Sequence, residues 1–276
     1  MKFSILIPTW NNLSYLQNCI HSIRSHSAED HQIIVIVNEG NDGTVEWLDK
    51  EKITYVHHKE NVGICTGLNS ATDSITEEYL VYLNDDMYVL PNWDSAFSEC
   101  IDTINHKSFM LSGTMIEPSS TGNDCVLIQD FGTTLESFQE KELLKYHSTA
   151  QKQDWTGASW PPMLMPVELW KKVGGMSEEF SPGMYSDPDL SMKLWKEGVR
   201  YFRGIGNARV YHFGSKSTRK LDKNIGRSIF LNKWSVTSRY FYSNILKMGS
   251  LWNGPLAEHK EPLGQKIIHH LKKIRT

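Results

Sequence analysis

The sequence predicts an α/β fold in which a mostly parallel, doubly wound central sheet is covered by helices on both faces. Two observations carry this prediction. Short apolar stretches rich in β-branched and aromatic residues have the length and continuity of buried strands, and they span residues 3–7, 33–37, 53–57 and 79–83. Between them, apolar residues recur every three or four positions, as in Leu16, Ile20 and Ile23, which is the spacing of one helix face. Such strand–helix alternation is typical of a parallel sheet.

In the first half of the chain, each predicted strand leads into a polar turn and then a helix. The first strand is expected to end at Pro8, and the strand at 33–37 ends in the turn cluster 38–43. The helices that follow the first three strands are expected at residues 13–23, 44–50 and 61–72. A loop that leads from a strand into a helix presents backbone N–H groups, which suits it to bind a phosphate or a base edge.

The second half is less regular, and residues 117–155 are polar without a predicted element. A helix is expected to begin near Asp187, with that residue as its N-cap and Pro188 in its first turn. Leu190, Leu194 and Trp195 supply its apolar face. The other expected elements are a strand at 109–116, two closing strands at 201–203 and 208–211, and helices from 224 and over 264–275.

Composition narrows the class of protein. A length of 276 residues suits one large α/β domain with a small addition, which we place at 1–220 and 221–276. A net charge of −3 gives no reason to expect a nucleic-acid partner. The four cysteines are scattered without a CxxC or zinc-like spacing, which favours a reducing, cytoplasmic location. The N-terminus lacks the pattern of a signal peptide, and no window approaches the ~18 apolar residues of a membrane span.

Polar side chains follow three of the predicted strands where they end. Thr9 and Asn11 follow the first, the pair Asn38–Glu39 the second, and the pair Asp85–Asp86 the central strand 79–83. Ligands of open α/β sheets bind beyond the carboxyl ends of the strands, so these side chains predict a nucleotide site. Two adjacent carboxylates repel each other, and a hard divalent cation shared with substrate phosphates would hold them together. For the two aspartates alone, a polar turn is an equally good explanation.

These residues also resemble a known family. Residues 1–100 look like a family 2 glycosyltransferase with the GT-A fold, a Rossmann-like sheet flanked by helices. The matching motifs, in order, are Pro8-Thr9-Trp10-Asn11, the acidic turn 38–44, Asn61 and Gly63 with the later Asn69, and Asn84-Asp85-Asp86. The family usually has Asp where this chain has Asn38. The resemblance therefore implies that either Asn38 or Glu39 would contact the base of the nucleotide.

The resemblance implies a role for each motif, within a nucleotide-binding half at 1–100 and an acceptor and catalytic half at 101–220. Asp187 matches the catalytic base, while Ser186 replaces the usual Glu beside it. Asp86 and His212 would hold Mn²⁺ or Mg²⁺. The acceptor would contact Trp160, Ser186 and Asp189. The nucleotide-binding set would be Pro8, Thr9, Asn11, Asn38, Glu39, Asn61, Gly63, Asn69, Asn84 and Asp85.

Structural explanations remain open for several of these residues. Helix capping and a favourable interaction with the helix dipole would explain Asp187 and Asp189 without catalysis. A lone histidine such as His212 is more often structural than a metal ligand. Lys216 and Arg219 could bind phosphate or belong to a solvated loop.

The activity implied by the resemblance is inverting transfer of a sugar from a nucleoside diphosphate, with UDP-sugars favoured, to a hydroxyl of a glycan or glycolipid. Two alternatives are a sugar nucleotidyltransferase and a catalytically silent nucleotide-sugar-binding domain. The first usually starts with a Gly-rich loop containing Lys or Arg, which Pro8-Thr9-Trp10-Asn11 lacks. The basic C-terminal tail has Ile267, Ile268, Leu271 and Ile274 on one helical face. It predicts peripheral contact with the inner face of the membrane, and an ordinary docked helix is the alternative.

Overall fold

The structure is a computed structural model that describes residues 1–120, 122–214 and 223–274, with only the backbone described at 223 and 224. These residues form one ten-stranded sheet. Its strands are β1 (Ser4–Trp10), β2 (Gln32–Asn38), β3 (Thr54–His58), β4 (Tyr79–Tyr82), β5 (Met87–Val89), β6 (Phe109–Glu117), β7 (Leu127–Ile128), β8 (Trp155–Thr156), β9 (Met163–Pro166) and β10 (Tyr201–His212).

The helices cover both faces of this sheet. The α-helices are α1 (Leu13–His26), α2 (Thr44–Glu51), α3 (Gly63–Ser70), α4 (Trp93–Asp102), α5 (Glu140–Thr149), α6 (Val167–Val173), α7 (Ser186–Lys196), α8 (Lys223–Trp234), α9 (Ser238–Tyr240) and α10 (Leu263–Ile274). A π-helical turn at Phe241–Ile245 continues α9, and short 3-10 turns lie at Thr72–Ser74 and Glu178–Phe180.

The strand order is β3-β2-β1-β4-β9-β6-β10-β5. Strands β3, β2, β1 and β4 run parallel to one another, as the sequence predicts for the first half. In the second half β9 runs antiparallel between β4 and β6, and β5 runs antiparallel to β10. The carboxyl ends of β1, β2 and β4 therefore meet at one edge of the sheet.

Alternate residues of the strands pack into two separate cores, one on each face of the sheet. Leu6 and Ile34 enter the core that contains Trp170 of α6, whereas Ile5 and Val35 enter the core formed with α1 and α4. A strand buried on both faces reads as a continuous apolar run, which is why these strands were visible in the sequence.

The prediction that Pro8 ends the first strand is wrong. β1 continues through Pro8 to Trp10, and its residues remain in register with β2 up to Asn38. Pairing of β1 with β4 covers only Ser4–Leu6, so beyond Leu6 one side of β1 has no strand neighbour. A proline can occupy such an edge, because its missing N–H is not required there.

Other elements also differ from the predictions. The two expected closing strands are one strand, β10, whose register against β6 shifts between Ile205 and Arg209. Asp187 is not the N-cap of α7; the cap is Tyr185, in the left-handed conformation with φ of 71°. Strand β5 and the helices α4 and α5 were not predicted.

The C-terminal region packs onto the main core. Phe230, Phe241 and Leu246 are completely buried in the cluster that also contains Trp170. The predicted boundary at residue 220 lies outside the described residues, as do Lys216 and Arg219. The proposed division into 1–220 and 221–276 thus stays a prediction, although side chains between residues 230 and 256 share the core of the first part.

Candidate active site

The ends of β1 and β2 form one side of a crevice. Asn11 and Glu39 both have positive φ, 48° and 64°, so the chain turns sharply after each strand. The Asn11 Nδ2 donates to Glu39 Oε2 at 2.9 Å, and its Oδ1 accepts from the Asn41 amide at 2.8 Å. Two predicted nucleotide-binding residues thus contact each other at the exposed rim.

Asn38 occupies a different position from its neighbour Glu39. It is buried, and its Oδ1 accepts the backbone N–H of Val62 at 3.0 Å. Asn61 Oδ1 accepts the N–H of Gly63 at 2.9 Å, so both asparagines order the turn that begins α3. Glu39 is the more accessible member of the pair.

Gly63 holds the two halves of the site together. Its φ is 77°, and a Cβ at this position would lie 2.9 Å from the Pro182 Cα. The next residue, Ile64, donates its N–H to the Pro182 carbonyl at 3.1 Å. The loop before α7 can therefore approach the start of α3 only because residue 63 has no side chain.

The acidic pair follows β4 directly. Asp86 is buried, whereas Asn84 and Asp85 are partly exposed. Desolvation of the Asp85 carboxylate by the surrounding protein raises its pKa, and the charge of Asp86 raises it further, to about 7. Buried oxygens of Thr9 (Oγ1) and Asp86 (Oδ2) have no hydrogen-bond partner. A buried polar atom without a partner is costly, so this point of the crevice is suited to an additional ligand.

His212 lies beside the acidic pair, at the end of β10. Its Nε2 is 3.5 Å from Asp86 Oδ2, and its Nδ1 is 3.1 Å from Glu117 Oε1. Burial opposes protonation of His212, but the Asp86 and Glu117 carboxylates outweigh it and raise the pKa to about 10. Glu117 was missed in the sequence, although it follows the predicted strand 109–116 in the same way that Asp85 follows β4.

The chemistry of two of these side chains suits a divalent cation. Among the described residues, no cluster of three or more His, Cys, Asp or Glu side chains has the arrangement of a metal site. Nevertheless, the Asp86 carboxylate and the His212 imidazole, which lie 3.5 Å apart, are both ligand types that a divalent metal accepts.

Asp187 lies in the first turn of α7 and is partly exposed. Burial of its carboxylate raises its pKa to about 7, with no other cause. Tyr82, at the end of β4, connects it to the acidic pair. Burial raises the pKa of Tyr82, and the charges of Asp187, Asp86 and Asp85 raise it further. All three carboxylates therefore lie within electrostatic range of one buried phenol.

The remaining predicted residues are mostly engaged inside the protein. Asn69 exchanges two hydrogen bonds with the Met176 backbone, at 2.9 and 2.8 Å. Ser186 is buried and donates to the Gly183 carbonyl at 2.7 Å. Asp189 is completely buried, and its Oδ1 accepts from Trp234 Nε1 at 2.7 Å. Trp160 is only partly buried.

The sequence profile of Glycosyl transferase family 2 matches residues 4–147. The uncharacterized glycosyltransferase RP339 of Rickettsia prowazekii is 32% identical over 204 residues, which cover 72% of this chain and 60% of the relative. The putative teichuronic acid biosynthesis glycosyltransferase TuaG of Bacillus subtilis is 26% identical over 88 residues, 30% of this chain and 35% of the relative. The chain spans between 16% and 60% of the length of the curated relatives it matches.

Two solved structures have a similar fold. TarS 1-349 of S. aureus aligns with a TM-score of 0.58 and 15% identity, covering 88% of this chain and 75% of TarS 1-349. The mannosyltransferase PcManGT of Pyrobaculum calidifontis aligns with a TM-score of 0.55 and 14% identity, covering 98% of this chain and 68% of that one. These likenesses confirm the predicted α/β GT-A fold. Together with the profile match, which spans more than half of the sequence, they identify the chain as a member of glycosyl transferase family 2.

Proposed function

We propose that this protein is an inverting glycosyltransferase that moves a sugar from a nucleoside diphosphate to a hydroxyl of a glycan or glycolipid. The observation that carries the proposal is that the charges of Asp187, Asp85 and Asp86 all act on the buried Tyr82 phenol, at the end of β4. It brings a candidate base, with a pKa near neutrality, close to the residues that would face the diphosphate. A base is most effective when its pKa lies near the working pH.

The donor nucleotide would occupy the crevice at the ends of β1, β2 and β4. Glu39 is the better candidate for reading the base, because Asn38 is buried and bonded to Val62. Thr9, with its unpartnered hydroxyl, and Asp85 would contact the ribose and diphosphate. TarS 1-349 has been solved with UDP-GlcNAc, and PcManGT with GDP-Man and Mn²⁺. We favour a UDP-sugar for this chain.

A divalent cation, Mn²⁺ or Mg²⁺, would be held by Asp86 and His212. When bound, it would neutralise charge that develops on the leaving diphosphate. Glu117 would orient His212 through its contact with Nδ1, as carboxylates commonly do for metal-binding histidines.

Asp187 would perform the proton transfer. Its carboxylate would accept the proton of the acceptor hydroxyl while that oxygen attacks the anomeric carbon. The bond from this carbon to the diphosphate oxygen breaks at the same time. A single displacement from the face opposite the leaving group inverts the configuration, so the product has the anomeric configuration opposite to the donor's.

The test is a panel of UDP-, GDP- and other nucleotide-sugars with Mn²⁺ or Mg²⁺, read as released nucleoside diphosphate. We expect release from at least one donor, strictly dependent on the metal. Release of pyrophosphate from a sugar phosphate and a nucleoside triphosphate would indicate a nucleotidyltransferase instead. Binding without any turnover would indicate a silent nucleotide-sugar-binding domain.

We further propose that α10 rests on an anionic membrane surface. Among the described residues, no helix is both long and apolar enough to cross a bilayer. However, α10 docks through its polar side: His269 is buried against Glu261, and Lys273 donates to the Asn232 carbonyl at 2.8 Å. Its apolar side chains are exposed instead; they are Leu263, Ile267, Ile268, Leu271 and Ile274.

Charge favours a lipid surface as the partner of this apolar face. Residues 263–276 contain four basic residues and no acidic one. Each basic residue near an anionic leaflet contributes about 1 kcal/mol, in addition to burial of the apolar face. Such a contact, together with four buried free cysteines as expected in a reducing compartment, supports a cytoplasmic protein at the inner face of the membrane.

Vesicle cosedimentation tests this proposal. The full chain should bind phosphatidylglycerol vesicles and not phosphatidylcholine vesicles, and the double variant Ile267→Glu, Leu271→Glu should lose binding. Leu251→Glu is the matched control, because Leu251 is as exposed as Ile267 but lies outside α10. Vesicle binding that survives in the double variant would contradict the proposal. If the wild type is a dimer and the double variant is a monomer, the apolar face of α10 would instead bind a second copy of the chain.

A further inference from the structure

The second half of the chain contains a cavity of about 300 Å³. It lies between the loop 122–125, Trp160 and the segment 242–249 of the C-terminal region. Its volume is at the lower end of the range of small-molecule sites, ~300–1,000 Å³, which fits one sugar ring better than a longer chain.

The C-terminal side of this cavity is held closely against the catalytic half. Gly157 has φ of 93°, and a Cβ there would lie 2.7 Å from the Met248 Cα. The Gly249 N–H donates to the Thr156 carbonyl at 3.0 Å, and the Thr156 N–H donates to the Ser250 carbonyl at 2.8 Å. Because of these contacts, the cavity wall has a defined position relative to the sheet.

Tyr242 links the cavity to the turn that carries Asp187. It lies in the π-helical turn Phe241–Ile245, and such turns are frequent at functional sites. The Tyr242 hydroxyl accepts from Ser159 Oγ at 3.2 Å, and Ser159 Oγ is 2.8 Å from Ser191 Oγ. Ser191 in turn donates to the Asp187 carbonyl at 3.0 Å. The charge of Asp187, after burial, also raises the pKa of Tyr242.

The lining has the chemistry of a sugar site. Trp160 stacks on Trp155 at a centroid distance of 5.9 Å, which fixes its ring, and its buried Nε1 has no partner. Asn123 and Asp124 add polar side chains at the opposite wall. No lysine, arginine or histidine lines the cavity in the described part of the chain, which disfavours a phosphate.

We infer that this cavity is the acceptor subsite and that it binds a neutral sugar ring, packed on Trp160 and hydrogen-bonded by Tyr242. The inference rests on the proposed function for its place in the reaction. The Tyr242 hydroxyl lines the cavity and would exchange one hydrogen bond with a ligand hydroxyl. The unpartnered Trp160 Nε1 would donate to a second one. The C-terminal region would thus choose the acceptor, while the first hundred residues choose the donor.

Saturation-transfer NMR of the full chain with a panel of uncharged methyl glycosides tests the inference. At least one glycoside should bind the wild type. Trp160→Ala should weaken it ~10-fold or more through lost packing, and Tyr242→Phe should weaken it ~2- to 10-fold through one lost hydrogen bond. Trp47→Ala, which removes a partly buried tryptophan of α2, is the matched control and should bind normally.

Two results would overturn the inference: no glycoside binds the wild type, or binding is unchanged in both Trp160→Ala and Tyr242→Phe. Circular dichroism establishes whether each variant is folded. If Trp160→Ala unfolds, Tyr242→Phe still tests the inference, because it keeps the aromatic ring and removes only the hydroxyl. Calorimetry with UDP and Mn²⁺ on the wild type tests the donor site separately. Glycoside binding without nucleotide binding would therefore reject the proposed function and keep the sugar site, and the reverse result would reject the sugar site alone.

Discussion

The two acidic regions of the crevice differ in what surrounds their carboxylates. Asp86 is faced by the imidazole of His212, which is itself held by Glu117. Asp187 has no such partner contributing to its pKa, which burial alone raises to about 7. A carboxylate beside an imidazole and a second carboxylate is suited to share a cation, whereas an isolated buried carboxylate is suited to take up a proton. On this difference we base the proposal that Asp86 and Asp187, residues of the same type, have distinct tasks.

The largest effect is expected from Asp187→Asn. Loss of the base should lower the rate of transfer by ~10²- to 10⁴-fold and leave donor affinity unchanged, because the amide cannot accept the proton. The raised pKa of Asp187 means that stability is lost as the pH rises from the ordinary carboxylate pKa to about 7, so this loss is complete at pH 8 and the variant should not lower Tm there. The test measures the transfer rate from initial rates, the donor affinity by calorimetry and Tm by thermal melts. Asp102→Asn, at an exposed position, is the control, and a variant as fast as the wild type would remove Asp187 from the mechanism.

Asp86→Asn, at the proposed metal site, is expected to have the next largest effect. It should weaken the binding of UDP in the presence of Mn²⁺ about 100-fold or more, because a bound metal contributes several kcal/mol. Calorimetry of UDP with and without Mn²⁺ measures it. If the metal-dependent affinity equals that of wild type, the assignment of the metal to Asp86 is wrong.

The pH dependence of the rate sharpens the distinction without any mutation. The raised pKa of Asp187 means that its basic form is lost as the pH falls through about 7. The transfer rate at saturating donor should therefore rise with pH, ~10-fold per unit below pH 7, and level off above it. In Asp187→Asn this rise should vanish, whereas a rise of the same steepness in that variant would assign the titration to another group.

The smallest effect is expected from Gly63→Ala, which disturbs the contact between the two regions. The added Cβ would meet the Pro182 backbone, and the left-handed φ is strained for alanine. We expect a loss of about 1–3 kcal/mol in stability, with a rate reduced by mispositioning of Asp187. Gly122→Ala is the control, because it has the same kind of φ but open space around its Cβ position. Equal melting temperatures for both variants would contradict this account.

Much of the first half could be predicted because its physics is local. Strands buried on both faces leave continuous apolar runs, and the polar residues at their ends are adjacent in sequence. Asp85 and Asp86 were identified in this way. Glu117 is the last residue of β6 and follows the predicted strand 109–116, but it was overlooked because the polar stretch 117–155 carries no periodic pattern.

The errors arise where the neighbour of a residue decides its structure. Pro8 lies inside a strand because β4 has already diverged from β1 at that point. Asp187 is not a helix cap, because Tyr185 takes the left-handed conformation ahead of it. The apolar face of α10 was correctly predicted as a stripe, but its exposure follows from the docking of His269.

By itself, the sequence determined the α/β class, where the first strands lie along the chain, and which kinds of side chain follow them. It could do so because hydrophobic periodicity and turn chemistry act over a few residues. Only the tertiary structure decided which of those side chains meet. The placement of Asp187 with Asp85 and Asp86 around Tyr82, and of Tyr242 beside Trp160, depends on contacts between residues distant in the chain. No local pattern encodes such contacts, because they form when separate faces of the sheet and helices are packed together.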